Sequence, residues 1–251
     1  MPLDQPLSAP RAVESTRPEG RGARFRIPRY LVERYWWAYL HPTAIGFFDR
    51  PWIVNLILWG NYRRLCQAAF EALGAAPLGG RTLQVACVYG DLTVRLADRL
   101  APAAALQVID VVPRQLARLQ GKLARRPNVV LKRSDSAAIR GADGGFDRAL
   151  IFFLLHEQPE AVRRATLREV ARVVRPGGQV VIVDYHRPRL FNPLRYLMRP
   201  VLAWLEPFAL DLWRQELDAW LPERNAVVVR RQLFFGGLYQ LLVLAVGRPG
   251  G

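Results

Sequence analysis

Leu83–Thr93 reads LQVACVYGDLT, an apolar run of strand character that ends in one glycine and passes at once into an amphipathic segment, TVRLADRL (Thr93–Leu100). Strand, tight turn and helix in that order open a βαβ unit, in which a parallel sheet presents a ligand loop at the carboxyl end of a strand. Such loops are rich in glycine, because positive φ and close approach of backbone to ligand both favour a residue without Cβ. Here Val88 and Tyr89 precede Gly90, so side chains crowd the place where a phosphate or an aminoacyl tail would lie. Either the site is dead, or its ligand sits differently.

Outward from this loop the same alternation continues. After Arg81 the strand-like segments are LQVACVY, ALQVID, NVVLKR, FDRALIFFLL and QVVIVDY. Helical patterns lie between them over Leu92–Leu100, Arg114–Ala124 and Glu160–Val173. Alternation at this spacing predicts a mainly parallel sheet with helices on both faces. At the end, AVVVRRQLFF and LYQLLVLAV flank Gly236-Gly237, which predicts an antiparallel hairpin and about seven strands in all. Asn192–Leu221 reads as helical, rich in Trp, Leu and Phe and broken by prolines. The expected organisation is a disordered tail over 1–25, a helical aromatic cap over 26–76, and an α/β domain over 77–251 with a helical apolar insertion at 190–222.

Composition narrows the function classes. With 251 residues, 51% of them hydrophobic, the chain can bury one large core. Its net charge is +15, and of 36 basic residues only Lys122 and Lys132 are lysines. That charge favours anionic partners, but the arginines are scattered, with no recognition helix or aromatic RNA-binding pattern, so nucleic acid is not the expected partner. Cys66 and Cys87 make neither a disulfide framework nor a metal cluster, which predicts a reducing, cytoplasmic setting. The N-terminus carries prolines and Asp4 where an export signal needs a basic start and an apolar run. No apolar run reaches the roughly 18 to 20 residues of a membrane span. The stretch Tyr35–Tyr62 is dense in Trp, Phe and Tyr but interrupted by His41, Asp49 and Arg50, a mixture found in interfacial segments and in caps over greasy ligands.

Strand order, the closing hairpin and four local signatures resemble the class I S-adenosylmethionine-dependent methyltransferases, over Leu73–Val246. Against that family's first motif, roughly D-x-G-x-G-x-G, this chain has Gln84, Ala86, Val88 and Gly90. Asp110 ends the second strand, where the family places a ribose-binding acid, and a carboxylate there accepts both ribose hydroxyls. Ser134-Asp135-Ser136 matches the loop facing the adenine, and RPGG (Arg175–Gly178) the turn before the fifth strand. The resemblance implies a Rossmann-like seven-stranded sheet and a cofactor held by Val88, Tyr89, Gly90, Asp91, Asp110, Val111, Asp135 and Ser136.

RYWWAYLHPTAIGFFDRPWIVNLILWGNY followed by VACVYGDLT resembles, more closely, the rhodoquinone-biosynthesis branch of these proteins. That implies conversion of ubiquinone to rhodoquinone by exchange of a ring methoxy for an amino group, with S-adenosylmethionine as nitrogen donor and Mn²⁺ assisting. Tyr89, His156 and Tyr185 are the expected catalytic residues. Candidate metal ligands at the strand ends are Asp91, Asp110, Asp135, His156, Asp184 and His186, with Asp91 and His186 placed first; no short ligand motif joins them. A ubiquinone-type substrate needs an apolar corridor, for which the aromatic cap and Asn192–Trp213 are candidates. Arg187, Arg189, Arg195 and Arg199 beside the second suit an anionic headgroup surface, so peripheral contact with the inner face of the cytoplasmic membrane is expected. Two other readings stay open: an ordinary methyltransferase on a lipidic substrate, and a non-catalytic membrane-surface scaffold.

Overall fold

The structure, a computed structural model, describes residues 27–34, 46, 48–123, 126–222 and 226–247. The expected tail and most of the aromatic cap's first half, His41 included, lie outside them. Seven strands form one sheet: β1 (Arg81–Val85), β2 (Ala105–Asp110), β3 (Val129–Arg133), β4 (Phe146–Phe152), β5 (Val174–Tyr185), β6 (Ala226–Phe234) and β7 (Tyr239–Val246). Their order is β3-β2-β1-β4-β5-β7-β6. The first five run parallel; β7 pairs antiparallel with both β5 and β6, so the predicted hairpin closes the sheet. Central strands are apolar on both faces, as a parallel sheet covered by helices requires. On the edge strand β6, Arg230 and Arg231 are exposed, charges that discourage pairing with another chain.

Helices pack around this sheet: α1 (Arg29–Arg34), α2 (Pro51–Ile57), α3 (Tyr62–Leu73), α4 (Leu92–Ala97), α5 (Pro113–Leu123), α6 (Glu160–Val173), α7 (Leu194–Leu205) and the single turn α8 (Asp211–Arg214). On α6 the buried positions Arg163, Thr166, Leu167, Val170 and Ala171 recur at helical spacing and face the core.

Two details differ from expectation. The first strand stops at Val85 rather than running on to Tyr89, because Ala86 turns into the left-handed region at φ 71°. RPGG is not a turn ahead of the fifth strand but an excursion within it: Val174 pairs with Phe146 and Gln179 with Arg148, and Arg175–Gly178 loop out between. Gly178 is needed there, since a Cβ would lie 2.6 Å from the Asp147 carbonyl oxygen.

Candidate functional site

The carboxyl ends of β1, β2 and β4 border a narrow cleft open to solvent, at the place where the strand order reverses. Its floor is Ala86 and Cys87 after β1 and Asp110–Val112 after β2; Ser134–Ser136 form one wall, Phe153, Leu154 and Glu157 another, and Tyr30 and Leu31 of α1 lean over it. Four of the residues expected to bind cofactor, Asp110, Val111, Asp135 and Ser136, therefore meet in one cleft. Val88, Tyr89, Gly90 and Asp91 do not line it.

Asp110 is buried, and its two carboxylate oxygens accept the Cys87 N–H at 2.8 Å and the Val112 N–H at 2.7 Å. Burial raises its pKa, opposed by those same backbone donors. Asp135 accepts the Ala137 N–H at 2.9 Å, which shapes the adjoining loop. The Ser136 hydroxyl lies 2.9 Å from Thr166 Oγ1 and accepts from Gln158 Nε2 at 3.0 Å. An acid at the end of β2 and a short polar loop after β3 suit a ribose and an attached base.

The glycine-poor loop is bound into the protein itself. Tyr62, at the start of α3, is 1% exposed, and its hydroxyl accepts the N–H groups of Asp91 and Leu92, both at 2.9 Å, and donates to Asp91 Oδ1 at 3.0 Å. Those N–H groups begin α4 and would otherwise be open to an anion or a ligand. Asp49, from the segment before α2, accepts the Gly90 N–H at 3.1 Å and pairs with Arg118 and Lys122 of α5. Lys122 also donates to the Gly90 carbonyl at 2.7 Å. Tyr89 turns toward α5, where its hydroxyl accepts from Gln115 Nε2 at 2.8 Å. Gln84, in the position of the family's acid, donates to the Ala86 carbonyl at 3.0 Å and Thr93 Oγ1 at 2.9 Å, bracing the loop.

A second polar group lies behind Phe153. The His156 Nδ1 is 2.8 Å from Asp184 Oδ1, and its Nε2 is 3.2 Å from Glu206 Oε2 and 3.8 Å from Glu157 Oε1. Asp184 is wholly buried and also accepts backbone N–H groups of Leu155 and Tyr185 at 2.8 and 2.7 Å. The turn that carries His156 is pinned by the buried Arg163, which donates to the carbonyls of Leu155, Gln158 and Phe208. Burial works against protonation of His156, but Asp184, Glu206 and Glu157 outweigh it and push its pKa up to about 9. At neutral pH it is therefore an imidazolium, able to donate a proton rather than accept one. Tyr185 packs edge-on against His156 with ring centroids 4.9 Å apart, and burial holds its phenol well above the ordinary range, so it stays protonated.

The His156 pKa lies above its ordinary value of 6.5, so the stabilisation is complete below that value and is lost as pH rises through about 9. Unfolding free energy is expected to fall by on the order of 3 kcal/mol between pH 6 and 10. Urea titrations across that range test this, with His156→Gln flattening the profile up to about pH 8, above which the buried Cys66 and Cys87 thiols add a slope of their own.

The Mn²⁺ implied by the resemblance finds no fitting donor set. Among the described residues no three His, Cys, Asp or Glu side chains gather to hold a metal. Asp91 is taken by Tyr62 and Arg95, whereas His186 is held by the Gly237 carbonyl at 2.9 Å and by Glu216 at 3.4 Å.

Asp49, Tyr62, Gln115, Lys122 and Glu206 escaped the sequence reading. Each reaches its partner across more than 25 residues of chain, and no local motif marks them.

Residues 82–178 match the methyltransferase domain family. The chain is 28% identical over 212 residues to an uncharacterised methyltransferase of Synechocystis, covering 82% of this chain and 92% of that protein. It is 32% identical over 181 residues to the demethylmenaquinone methyltransferase of Renibacterium salmoninarum, covering 68% and 72% of the two chains. Among solved structures, the N-methyltransferase NodS of Bradyrhizobium japonicum in complex with S-adenosylhomocysteine superposes with a TM-score of 0.55 at 16% identity, over 83% of this chain and 94% of that one. With the strand order, the acid ending β2 and the cleft at the switch point, these matches show that the chain belongs to the class I S-adenosylmethionine-dependent methyltransferase family.

Proposed function

We propose that this protein uses S-adenosylmethionine to aminate the ring of ubiquinone, giving rhodoquinone, and that the α-amino group of the donor, not its methyl, is the group transferred. One observation carries the proposal: the part of the cleft bordered by Asp110 and Ser134–Ser136 keeps polar groups suited to adenosine, with Tyr30 of α1 leaning into it, while the loop that would cradle the amino-acid half is filled by Tyr62, Asp49 and the side chain of Tyr89. An amino-acid end kept off that loop is presented in a new direction, toward Phe153 and the His156 group. The relatives named for demethylmenaquinone methylation support a quinone-type ring as substrate.

Bound S-adenosylmethionine supplies the nitrogen: a C–N bond forms at the ring carbon, the C–O bond to methoxy breaks, and methanol leaves with the proton from the amine. Release of the nitrogen from its carbon skeleton then takes one water, whose oxygen ends on the former Cα, and passes two electrons to the quinone. The products are a 2-oxo acid and the aminated hydroquinone, the reduced form of rhodoquinone, which dioxygen re-oxidises to the quinone. In this reading His156, an imidazolium held between Asp184 and Glu206 behind Phe153, gives its proton to a ring oxygen or to the departing methoxide once Phe153 swings aside. Phe153 holds a left-handed φ of 51° while it separates the cleft from His156, and such strain is kept where surrounding packing demands it.

A second reading, methyl transfer to a quinone ring carbon, is favoured by the 32% identity to the Renibacterium enzyme. Incubation with ubiquinone and S-adenosylmethionine, with and without Mn²⁺, followed by mass spectrometry, separates the two. Loss of methoxy with gain of an amino group supports amination. A methylated quinone with S-adenosylhomocysteine supports the second reading, and absence of both products together with absence of cofactor binding by calorimetry leaves a non-catalytic protein.

A further inference from the structure

We propose that α7 and the preceding Leu190-Phe191 form a foot by which the protein lies on an anionic lipid bilayer, and that this foot ends beside His156, behind the cleft. Such a foot would hold the protein at a bilayer whichever group the donor gives up. Helix α7 has two apolar faces. Met198 and Leu202, one turn apart, are buried in the core, with Leu194 half-buried a turn earlier. On the other side Tyr196, Leu197, Val201 and Trp204 face solvent. Trp204 is 83% exposed and Phe191 80%. The patch is continuous, because the Tyr196 hydroxyl donates to the Leu190 carbonyl at 3.2 Å and brings that turn against the helix. An apolar surface of this kind calls for a partner.

Charge identifies the partner. From Arg187 to Leu205 the chain holds four arginines and no acidic residue. Arg187, Arg189 and Arg199 are exposed and have no ion-pair partner among the described residues. A second copy of the same face would bring like charges together, whereas anionic headgroups neutralise them while the acyl region receives Phe191, Leu197 and Trp204. Its 12 residues are too few to cross a bilayer, so α7 lies along the surface.

The same helix ends at Glu206, whose carboxylate is 3.2 Å from His156 Nε2. The bilayer-facing helix thus leads directly to the polar group behind Phe153.

Vesicle flotation tests this with phosphatidylcholine alone and with about one-third phosphatidylglycerol, at low and physiological salt. The full chain should float with the anionic vesicles and less as salt rises. Phe191→Ser with Trp204→Ser should lower the partition about tenfold or more, and Arg187→Gln, Arg189→Gln and Arg199→Gln together should lower it and flatten the salt dependence. Trp52→Ser with Leu56→Ser, on the other exposed aromatic face, should leave it unchanged. All substitutions are at exposed positions, and unaltered circular dichroism melts confirm folding. Failure of the full chain to float at either salt, or flotation indifferent to both α7 variants, overturns the proposal. So does a dimer by sedimentation that the Phe191 and Trp204 substitutions dissociate.

Discussion

Replacement of His156 by alanine is expected to cost the protein about 3 to 5 kcal/mol, the range for removal of one partner of a buried ion pair. Asp184 is wholly buried and would keep its backbone donors but lose the imidazolium it pairs with, while Glu206 faces the same space. Burial already raises the Glu206 pKa, with His156 opposing, so loss of the imidazolium should drive that carboxyl to take a proton. Urea unfolding at neutral pH measures the loss directly. His156→Gln, which keeps a donor and the volume, should lose less. If His156→Ala unfolds within about 1 kcal/mol of the parent, the ion-paired state assigned to His156 is wrong.

Substitution of Gly90 by alanine should have an effect of similar size for a different reason. Gly90 sits at φ +89°, and a Cβ there would lie 2.6 Å from the Tyr62 hydroxyl that holds the first N–H groups of α4. The backbone strain contributes on the order of 1 to 3 kcal/mol. Displacing Tyr62 also leaves buried N–H groups without a partner, at a further cost of about 1 to 3 kcal/mol. Thermal unfolding of Gly90→Ala against Gly121→Ala, where a Cβ would meet nothing within 4 Å, isolates the effect. A loss no larger at Gly90 than at Gly121 would mean that Tyr62 does not occupy the place described.

The sheet was legible in the sequence because its signals are local. Apolar runs such as QVVIVDY and YQLLVLAV, separated by amphipathic helices, repeat at a spacing that only a parallel sheet accommodates, and Gly236-Gly237 supplies the positive φ angles of the final turn. Asp110 and Ser134–Ser136 could be placed for the same reason, each standing at the end of a recognisable strand. The loop at Val88–Asp91 was legible only as an anomaly. Glycine content shows that side chains crowd it, but not that Tyr62 and Asp49 from the helices before the sheet supply its hydrogen-bond partners. Such contacts depend on how the N-terminal helices dock, which no spacing within the loop encodes. Ala86 illustrates the limit: it takes the left-handed φ a glycine would take, and sequence preference alone predicts the strand to continue through it.

Isotope labelling distinguishes nitrogen from methyl as the group that leaves the donor. The protein is incubated with ubiquinone and S-adenosylmethionine carrying ¹⁵N at the α-amino group and ¹³C in the methyl, and the quinone is analysed by mass spectrometry. The expected product, after re-oxidation in air, is a quinone that has lost a methoxy and carries ¹⁵N on its ring with no ¹³C. A quinone that carries the ¹³C methyl and no ¹⁵N would contradict it.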